Sequence, residues 1–360
     1  MACLGGSFVP GGKGVEGVRL TAYRMEQCFS CVKSKDFRFP SSCPIIPGFL
    51  GTLSAMDTEA RDCLAAKYKN QPLTANGGLH ESRRVQVKLR VGYELQYEFP
   101  QPTPLIGMLN IHYSRVADLA APDHIVIMPS VPISCYRDGF GNWCSRILAP
   151  AGHMILSTDA IVKDSGLPDE IAPDAAEVAV ENLPEEAIVF LLASRFCDSD
   201  RMLDLAWSLF GATAPGWPRV QAICDFVHRR IAFGYDHARV TRTASEAYQE
   251  GQGVCRDYAH LAVAFCRALN IPARYCTGYR GDVGTPPPFP PGDFAAWFEV
   301  YLGGKWYTFD ARNNVPRIGR VLLARGRDAA DVAITTTFGP NTLTSFRVWT
   351  DEIAEAPIVI

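Results

Sequence analysis

A cysteine stands where a glycine-containing loop gives way to a predicted helix. Residues 251–257 read GQGVCRD, and apolar residues then recur with helical spacing as far as Leu269. The N-terminus of a helix carries a partial positive charge and unsatisfied N–H groups, which favour a thiolate and lower the pKa of a cysteine placed there. The same N–H groups could hold an oxyanion, and the glycines would let a substrate backbone approach. Cys255 is therefore a candidate nucleophile, with a structural cysteine as the alternative.

Two longer segments extend this pattern to a family. They read GQGVCRDYAHLAVAFCRALNIPARYCTGY and FAAWFEVYLGGKWYTFDARNN, and together they closely resemble the core of the bacterial transglutaminase-like superfamily. The resemblance covers about residues 165–340. It implies a papain-like fold with a Cys-His-Asp triad, in which the cysteine begins a helix and the histidine and aspartate lie on adjacent strands.

The resemblance assigns the triad position by position. The nucleophile falls on Cys255 and the acid on Asp310, within WYTFD. The family's histidine directly precedes Ala-Trp in an H-A-W-x-E-x-Y-L pattern, and the matching residues of this chain read AAWFEVYL. Ala295 therefore occupies the place of the catalytic histidine, and neither neighbour, Phe294 or Ala296, is a base.

Three other histidines come into question as a replacement base. His260 lies on the same predicted helix as Cys255 but more than a turn away and off its face, within DYAHLAVAF, where a packed or hydrogen-bonded histidine is expected. His228 and His237 precede the nucleophile, and nothing in the sequence places them at the cleft. Asp257, in the first turn of that helix, is expected to cap it.

The resemblance implies a scaffold for thiol-dependent acyl transfer or for amide or peptide hydrolysis. Its substrates would be peptides, proteins or small amides, and it implies no cofactor. With Ala295 in the histidine position, activity is expected to be lost or impaired, and a non-catalytic peptide-binding pseudoenzyme using the same cleft is the alternative. Three origins of Ala295 stay open: an engineered inactivating substitution, a natural pseudoenzyme, and a sequence variant or error.

A run of arginines follows Asp310. A solvated face is the expected role of such a run, and binding of a substrate carboxylate is the alternative. The run comprises Arg312, Arg317, Arg320, Arg325 and Arg327.

Strict alternation of apolar residues with polar residues or glycine begins at Val85. The apolar positions are Val85, Val87, Leu89, Val91, Tyr93, Leu95, Tyr97 and Phe99. This period of two predicts strands with one buried face. Further strands are predicted at residues 125–128, 133–137, 143–148 and 154–162, with a hairpin turn at 138–142. Residues 85–165 are therefore predicted to form an antiparallel β domain, similar to the N-terminal domain that accompanies transglutaminase-like cores in bacteria.

The pattern turns helical beyond a linker at residues 167–186. Helices are predicted at 218–231 and 255–269, and strands at 273–279, 296–302 and 306–310. Helices followed by a sheet make the fold class α+β, with a papain-like transglutaminase core at residues 166–340 preceded by an antiparallel β-sandwich-like domain. The remaining residues are predicted as a poorly ordered extension at 1–84 and a C-terminal tail at 341–360.

The composition of the chain indicates which partners and which cellular compartment to expect. The net charge of -3 gives no reason to expect nucleic acid or an anionic membrane, and no apolar run reaches the ~18 residues of a membrane span. We therefore expect a soluble, cytoplasmic protein. The twelve cysteines are scattered, which disfavours disulfides in a reducing compartment. The cysteines at 28, 31, 43 and 63 lack the second close pair of a zinc site, so no metal is expected.

Overall fold

The computed structural model describes residues 87–285, 289 and 292–353 of the 360-residue chain. The expected extension at residues 1–84 lies outside the described residues, as do the cysteines at 28, 31, 43 and 63. Within the described ranges, no helix is long and apolar enough to cross a membrane. The cytoplasmic location stays a prediction.

Strands outnumber α-helices among the described residues. The strands are β1 (Val87–Phe99), β2 (Thr103–Gly107), β3 (Leu119–Ala121), β4 (Val126–Met128), β5 (Ile133–Arg137), β6 (Trp143–Ala149), β7 (Gly152–Asp164), β8 (Ala232–Phe233), β9 (Gln252–Gly253), β10 (Ala273–Arg280), β11 (Ala295–Leu302), β12 (Lys305–Phe309), β13 (Arg320–Gly326), β14 (Thr335–Thr337) and β15 (Thr342–Ile353). The α-helices are α1 (Glu185–Ile188), α2 (Leu203–Phe210), α3 (Trp217–Arg230), α4 (Ala244–Glu250) and α5 (Cys255–Ala268).

Two antiparallel sheets make up the N-terminal β domain. The first has the order β15-β1-β7-β3, with β4 also paired to β7, and the second has the order β14-β2-β6-β5. The alternation predicted for β1 is confirmed, because Leu89, Val91, Tyr93 and Leu95 are fully buried. They share one core with Ile147 of the second sheet, so the two sheets pack face to face.

The last strands of the chain belong to this β domain. Residues 341–360 were expected to form a tail, but β15 pairs with β1 from Lys88 to Glu98. In the same way, β14 pairs with β2. The expected boundary at residue 340 therefore does not separate structural units. The physical reason is that β7 pairs with only one edge of β1, so the backbone groups of the other edge need a partner, and β15 supplies it.

The core places one long helix against a four-stranded antiparallel sheet. The sheet has the order β12-β11-β10-β13, and all fourteen residues of α5 are buried. Phe298 and Val300 of β11 share a hydrophobic cluster with Leu261 and Phe265 of α5. Alternate residues of a strand point to opposite faces, so Trp297 and Glu299 lie on the face away from the helix. The predicted α+β arrangement of helices followed by an antiparallel sheet is confirmed.

Candidate active site

Cys255 is the first residue of α5, as the sequence predicts. The turn before it begins at Gly251, which closes α4 in the left-handed conformation at φ 65°. The pair Gln252 and Gly253 then forms β9, parallel to β8. This short pairing fixes the loop that presents the cysteine at the N-terminal end of the helix.

Asp257 caps the same helix. Its Oδ2 accepts a hydrogen bond from the backbone N–H of Val254 at 2.8 Å and another from Nη1 of Arg242 at 2.9 Å. Burial raises the pKa of Asp257, while the charges of Arg256 and Arg242 oppose that shift. The capping role predicted for this residue is confirmed.

The structure shows a reason for glycine at position 253 that the sequence interpretation missed. A Cβ on this residue would lie 2.5 Å from Oδ2 of Asp257, so the capping carboxylate occupies the space that a side chain would need. The glycine therefore makes room for the helix cap, whereas the sequence interpretation explained it by close approach of a substrate.

Ala295 borders the same small cavity as the cysteine. It is the first residue of β11 and is paired with Gly278 of β10. Ala295 and Cys255 both line a cavity of about 40 Å³. The other lining residues are Phe233, Tyr235, Arg280, Asp282, Gly292, Asp293, Phe294 and Arg312. The structure thus brings together the candidate nucleophile and the residue in the expected histidine position.

Asp310 lies just past the end of β12 and is fully engaged. Its Oδ1 accepts hydrogen bonds from the backbone N–H groups of Arg312 and Asn313. Its Oδ2 accepts from Nδ2 of Asn313 at 2.7 Å and from Nη2 of Arg320 at 2.8 Å. Burial alone would raise the pKa of Asp310, but Arg320 and Asn313 outweigh it and hold the pKa below its ordinary value. Among the described residues that line the Cys255 cavity, Asp310 is absent.

The other histidines have separate places. The ring of His260 stacks on Phe196 at 5.3 Å, and its Nε2 accepts a hydrogen bond from the backbone N–H of Ala329. Burial lowers its pKa well below the ordinary value, and the charges of Arg256 and Arg267 add to the shift. The packed, hydrogen-bonded role expected for His260 is confirmed. Nδ1 of His228 lies 2.8 Å from the carbonyl oxygen of Arg312. In the described part of the chain, no histidine lines the Cys255 cavity.

Four charged residues of the cavity were not assigned to it from the sequence. Arg280 donates from Nη1 to Oδ1 of Asn313 at 2.8 Å, and the guanidinium of Arg312 lies 3.7 Å over the ring of Phe233. The two acids are Asp282 and Asp293, and burial raises the pKa of Asp293. A partial signal existed for Asp293, because it stands two residues before Ala295, and alternate residues of an extended segment share a face.

The arginine run does not form a solvated face. Arg320 is buried, and Arg312 lines the Cys255 cavity. Arg317 and Arg325 are half-buried and line a second cavity. Arg327 keeps 41% of its side chain exposed and pairs with Asp331. The expected solvated face is therefore wrong for most of the run, because the chain folds it back over the sheet and not outward. Within the described ranges, no cluster of His, Cys, Asp and Glu is arranged to hold a metal ion.

Comparison with known proteins supports the family and the papain-like fold that the sequence predicts. The family model described as the transglutaminase-like superfamily matches residues 205–311, a range that contains positions 255, 295 and 310. A solved structure of a candidate cysteine protease from Cytophaga hutchinsonii is 30% identical, covers 75% of this chain and 92% of its own, and superposes with a TM-score of 0.66.

Two uncharacterised mycobacterial proteins are also similar. One from Mycobacterium leprae is 34% identical over 92 residues, which are 24% of this chain and 32% of that protein. One from Mycobacterium bovis is 27% identical over 223 residues, 55% of this chain and 69% of its own. The chain thus spans about a third of the length of the Mycobacterium leprae relative.

Proposed function

Because the chain belongs to the transglutaminase-like superfamily, we propose that Cys255 is the nucleophile of a site for thiol-dependent acyl transfer or for hydrolysis of amide or peptide bonds. The observation that carries the proposal is the place of Cys255 at the first position of α5, in a cavity shared with Ala295. The N-terminal end of the helix favours negative charge on the sulfur and on an oxyanion. Solvent-exposed Tyr235 and half-buried Arg312 stand at the same cavity.

The proposed chemistry has two steps. The Cys255 sulfur forms a bond to the carbonyl carbon of the substrate, and the amine leaves after it has taken up a proton. Water or a second amine then attacks the thioester and releases the acyl group, which restores the thiol. In a complete triad, an imidazole carries the proton from the thiol to the leaving amine. The methyl group of Ala295 cannot do so, and we therefore expect slow turnover in this chain.

The size of the cavity limits what enters it. A volume of about 40 Å³ is close to the ~30 Å³ share of one water molecule. The cavity is therefore small, and most of a peptide or protein substrate would lie outside it. The arginines at 280 and 312 and the acids at 282 and 293 give both signs of charge near that point.

Restoring the base tests the proposal. Ala295→His should raise turnover on peptide and amide substrates by at least about 100-fold, the low end of general acid–base catalysis. It should also add a pH limb near the ordinary histidine pKa of about 6.5. Assays with and without an added primary amine would separate transfer from hydrolysis.

The control is the double variant Ala295→His with Cys255→Ala, which should be silent. If Ala295→His folds and binds substrate but turns over no faster than the parent chain, the assignment of position 295 is wrong.

A peptide-binding pseudoenzyme is the second candidate, and one observation favours it. Asp310 satisfies its carboxylate with Asn313, Arg320 and a backbone N–H of Arg312, with no histidine among these partners. A scaffold stabilised in this way can keep its cleft without the triad. Equal peptide binding by the parent chain and by Cys255→Ala, with no turnover by either or by Ala295→His, would support this function.

A further inference from the structure

A second, larger cavity lies against the face of the core sheet that points away from α5. Its volume is about 240 Å³, the share of about eight water molecules. Trp297 and Glu299 line it from the sheet, on the face away from α5. Arg115 of the β domain and Asp169 of the segment after β7 line it from the other side. The cavity is thus bounded by both parts of the described structure.

Arginine side chains dominate the charge of this cavity. Four line it, at 115, 317, 320 and 325, against three carboxylates, at 164, 169 and 299. Each carboxylate already has a cationic partner. Asp164 pairs with Arg115 at 3.3 Å, Asp169 with Arg320 at 2.9 Å, and Glu299 with Arg274 at 2.5 Å. All three carboxylates that line the cavity are therefore already paired with arginines.

Several arginine donors remain without acceptors. Nη1 of Arg320 and Nε of Arg317 are buried and have no hydrogen-bond partner in the described part of the chain. Arg325 is half-buried, and its side chain makes no hydrogen bond or ion pair to any described residue; only its backbone bonds to Asn142. Buried donors without acceptors, such as those of Arg320 and Arg317, are costly. An anion in the cavity would remove that cost.

We propose that this cavity binds a small anion through carboxylate or phosphate oxygens. Arg325 supplies the unpaired charge, and Arg320 and Arg317 supply further donors around it. Arginine presents its N–H groups in a planar fork that suits both kinds of oxygen. The Arg320 guanidinium lies 5.3 Å over the ring of Trp297, which fixes it as one wall of the site. This site is separate from the Cys255 cavity and does not depend on the proposed activity.

The site is joined to Asp310 through one side chain. Arg320 donates from Nη2 to Asp310 and from Nε to Asp169, while its Nη1 is the donor without a partner among the described residues. An anion at Nη1 would therefore complete the hydrogen bonding of the same guanidinium that holds Asp310.

Calorimetric titration of the full chain tests the site. The probes are inorganic phosphate and succinate, each compared with sodium chloride at equal ionic strength. We expect saturable binding of at least one probe, and the preferred probe distinguishes a phosphate from a carboxylate ligand. Arg325→Gln should weaken that binding at least about tenfold, because it removes the only unpaired full charge among the residues that line the cavity. Its side chain has no bond to a described residue to lose, so the variant should fold.

The matched control is Arg146→Gln, which removes an exposed arginine of β6 outside the cavity and should bind like the parent chain. Absence of saturable binding for both probes would overturn the proposal. An equal loss of affinity in Arg146→Gln would also overturn it, because it would show a general charge effect.

Discussion

Cys255 and Asp310 are both buried, but only the cysteine lines the small cavity that also holds Ala295. The Asp310 carboxylate is held by Arg320 and Asn313. A histidine introduced at Ala295 would have to share this carboxylate with the guanidinium of Arg320. The gain in rate from such a variant therefore depends on the cost of weakening the Asp310–Arg320 ion pair as well as on the proton transfer itself.

The reactivity of Cys255 can be measured against the other described cysteines. Cys135 is exposed, Cys255 is 4% exposed at its cavity, and the other five are almost completely buried, with Cys144 in the β domain and four outside it. Burial raises the pKa of those four, which are Cys197, Cys224, Cys266 and Cys276. After brief iodoacetamide treatment, we expect Cys255 to be alkylated at least about tenfold faster than these four, since alkylation requires an accessible thiolate.

Peptide mapping by mass spectrometry would give the order of labelling. The experiment is best done in Cys135→Ser, so that the exposed thiol does not consume the reagent. Labelling of Cys255 no faster than that of Cys224 would indicate a structural cysteine.

The sequence could predict part of this site and not the rest. Cys255 was predictable because a helix start and its preceding loop are local features. The ion pair of Asp310 with Arg320 was not, because it depends on β13 lying at the opposite edge of the sheet from β12. Arg280 and Arg312 reach the cavity from separate segments, and a run of arginines by itself does not reveal which face it covers.

At the scale of elements, the strongest local patterns were the most informative. The alternation of β1 and the helical stripe of α3 predicted those elements because each buries one face of its own. The β15 strand was missed, since its twelve residues alternate poorly between buried and exposed positions. Its place is set by pairing with β1, a partner more than 240 residues away. Such long-range pairing leaves little trace in local sequence.

The β1–β15 pairing leaves no room for a side chain at Gly92. A Cβ there would lie 2.4 Å from the ring of Trp349 and 2.4 Å from the carbonyl oxygen of Thr158. Gly92→Ala should therefore destabilise the chain by about 1–3 kcal/mol, the usual cost of overpacking. Urea denaturation of parent and variant would measure the difference in the free energy of unfolding.

Gly139→Ala provides the control, because a Cβ at Gly139 would meet nothing within 4 Å. This change should stay within about 0.5 kcal/mol. If both variants unfold with the same free energy, Trp349 does not pack on Gly92 as the structure has it.

At the scale of the whole molecule, the chain leaves the β domain and returns to it. It passes from β7 into the core and comes back with β14 and β15, so the core sequence is inserted into the β domain. His112 lies where the two parts meet. Its backbone N–H donates to the carbonyl oxygen of Leu322 in β13, and its Nδ1 accepts from the backbone N–H of Ser114. The packing of this residue therefore reports on the junction.

Acid should weaken this junction through His112. Burial lowers its pKa to about 4, and the charges of Arg325, Arg274 and Arg137 add to the shift. The unfolded chain has the ordinary value of about 6.5, so between these two values it binds more protons than the folded chain. Stability is then full above pH 6.5 and falls as the pH drops. Between pH 6.5 and 5, His112 should account for a loss of about 2 kcal/mol in the free energy of unfolding.

His112→Asn isolates that share, because asparagine keeps a side-chain acceptor for the N–H of Ser114 but does not titrate. The free energy of unfolding, measured from pH 7 to 5, should fall by about 2 kcal/mol less in the variant than in the parent chain.

His260 is also buried and remains in both proteins, so its contribution cancels in the comparison. His124→Asn, a change at an exposed histidine, should leave the parent's pH dependence in place. If His112→Asn loses stability with acid as steeply as the parent chain, His112 is not held neutral at the junction, and the acid sensitivity must arise from other groups.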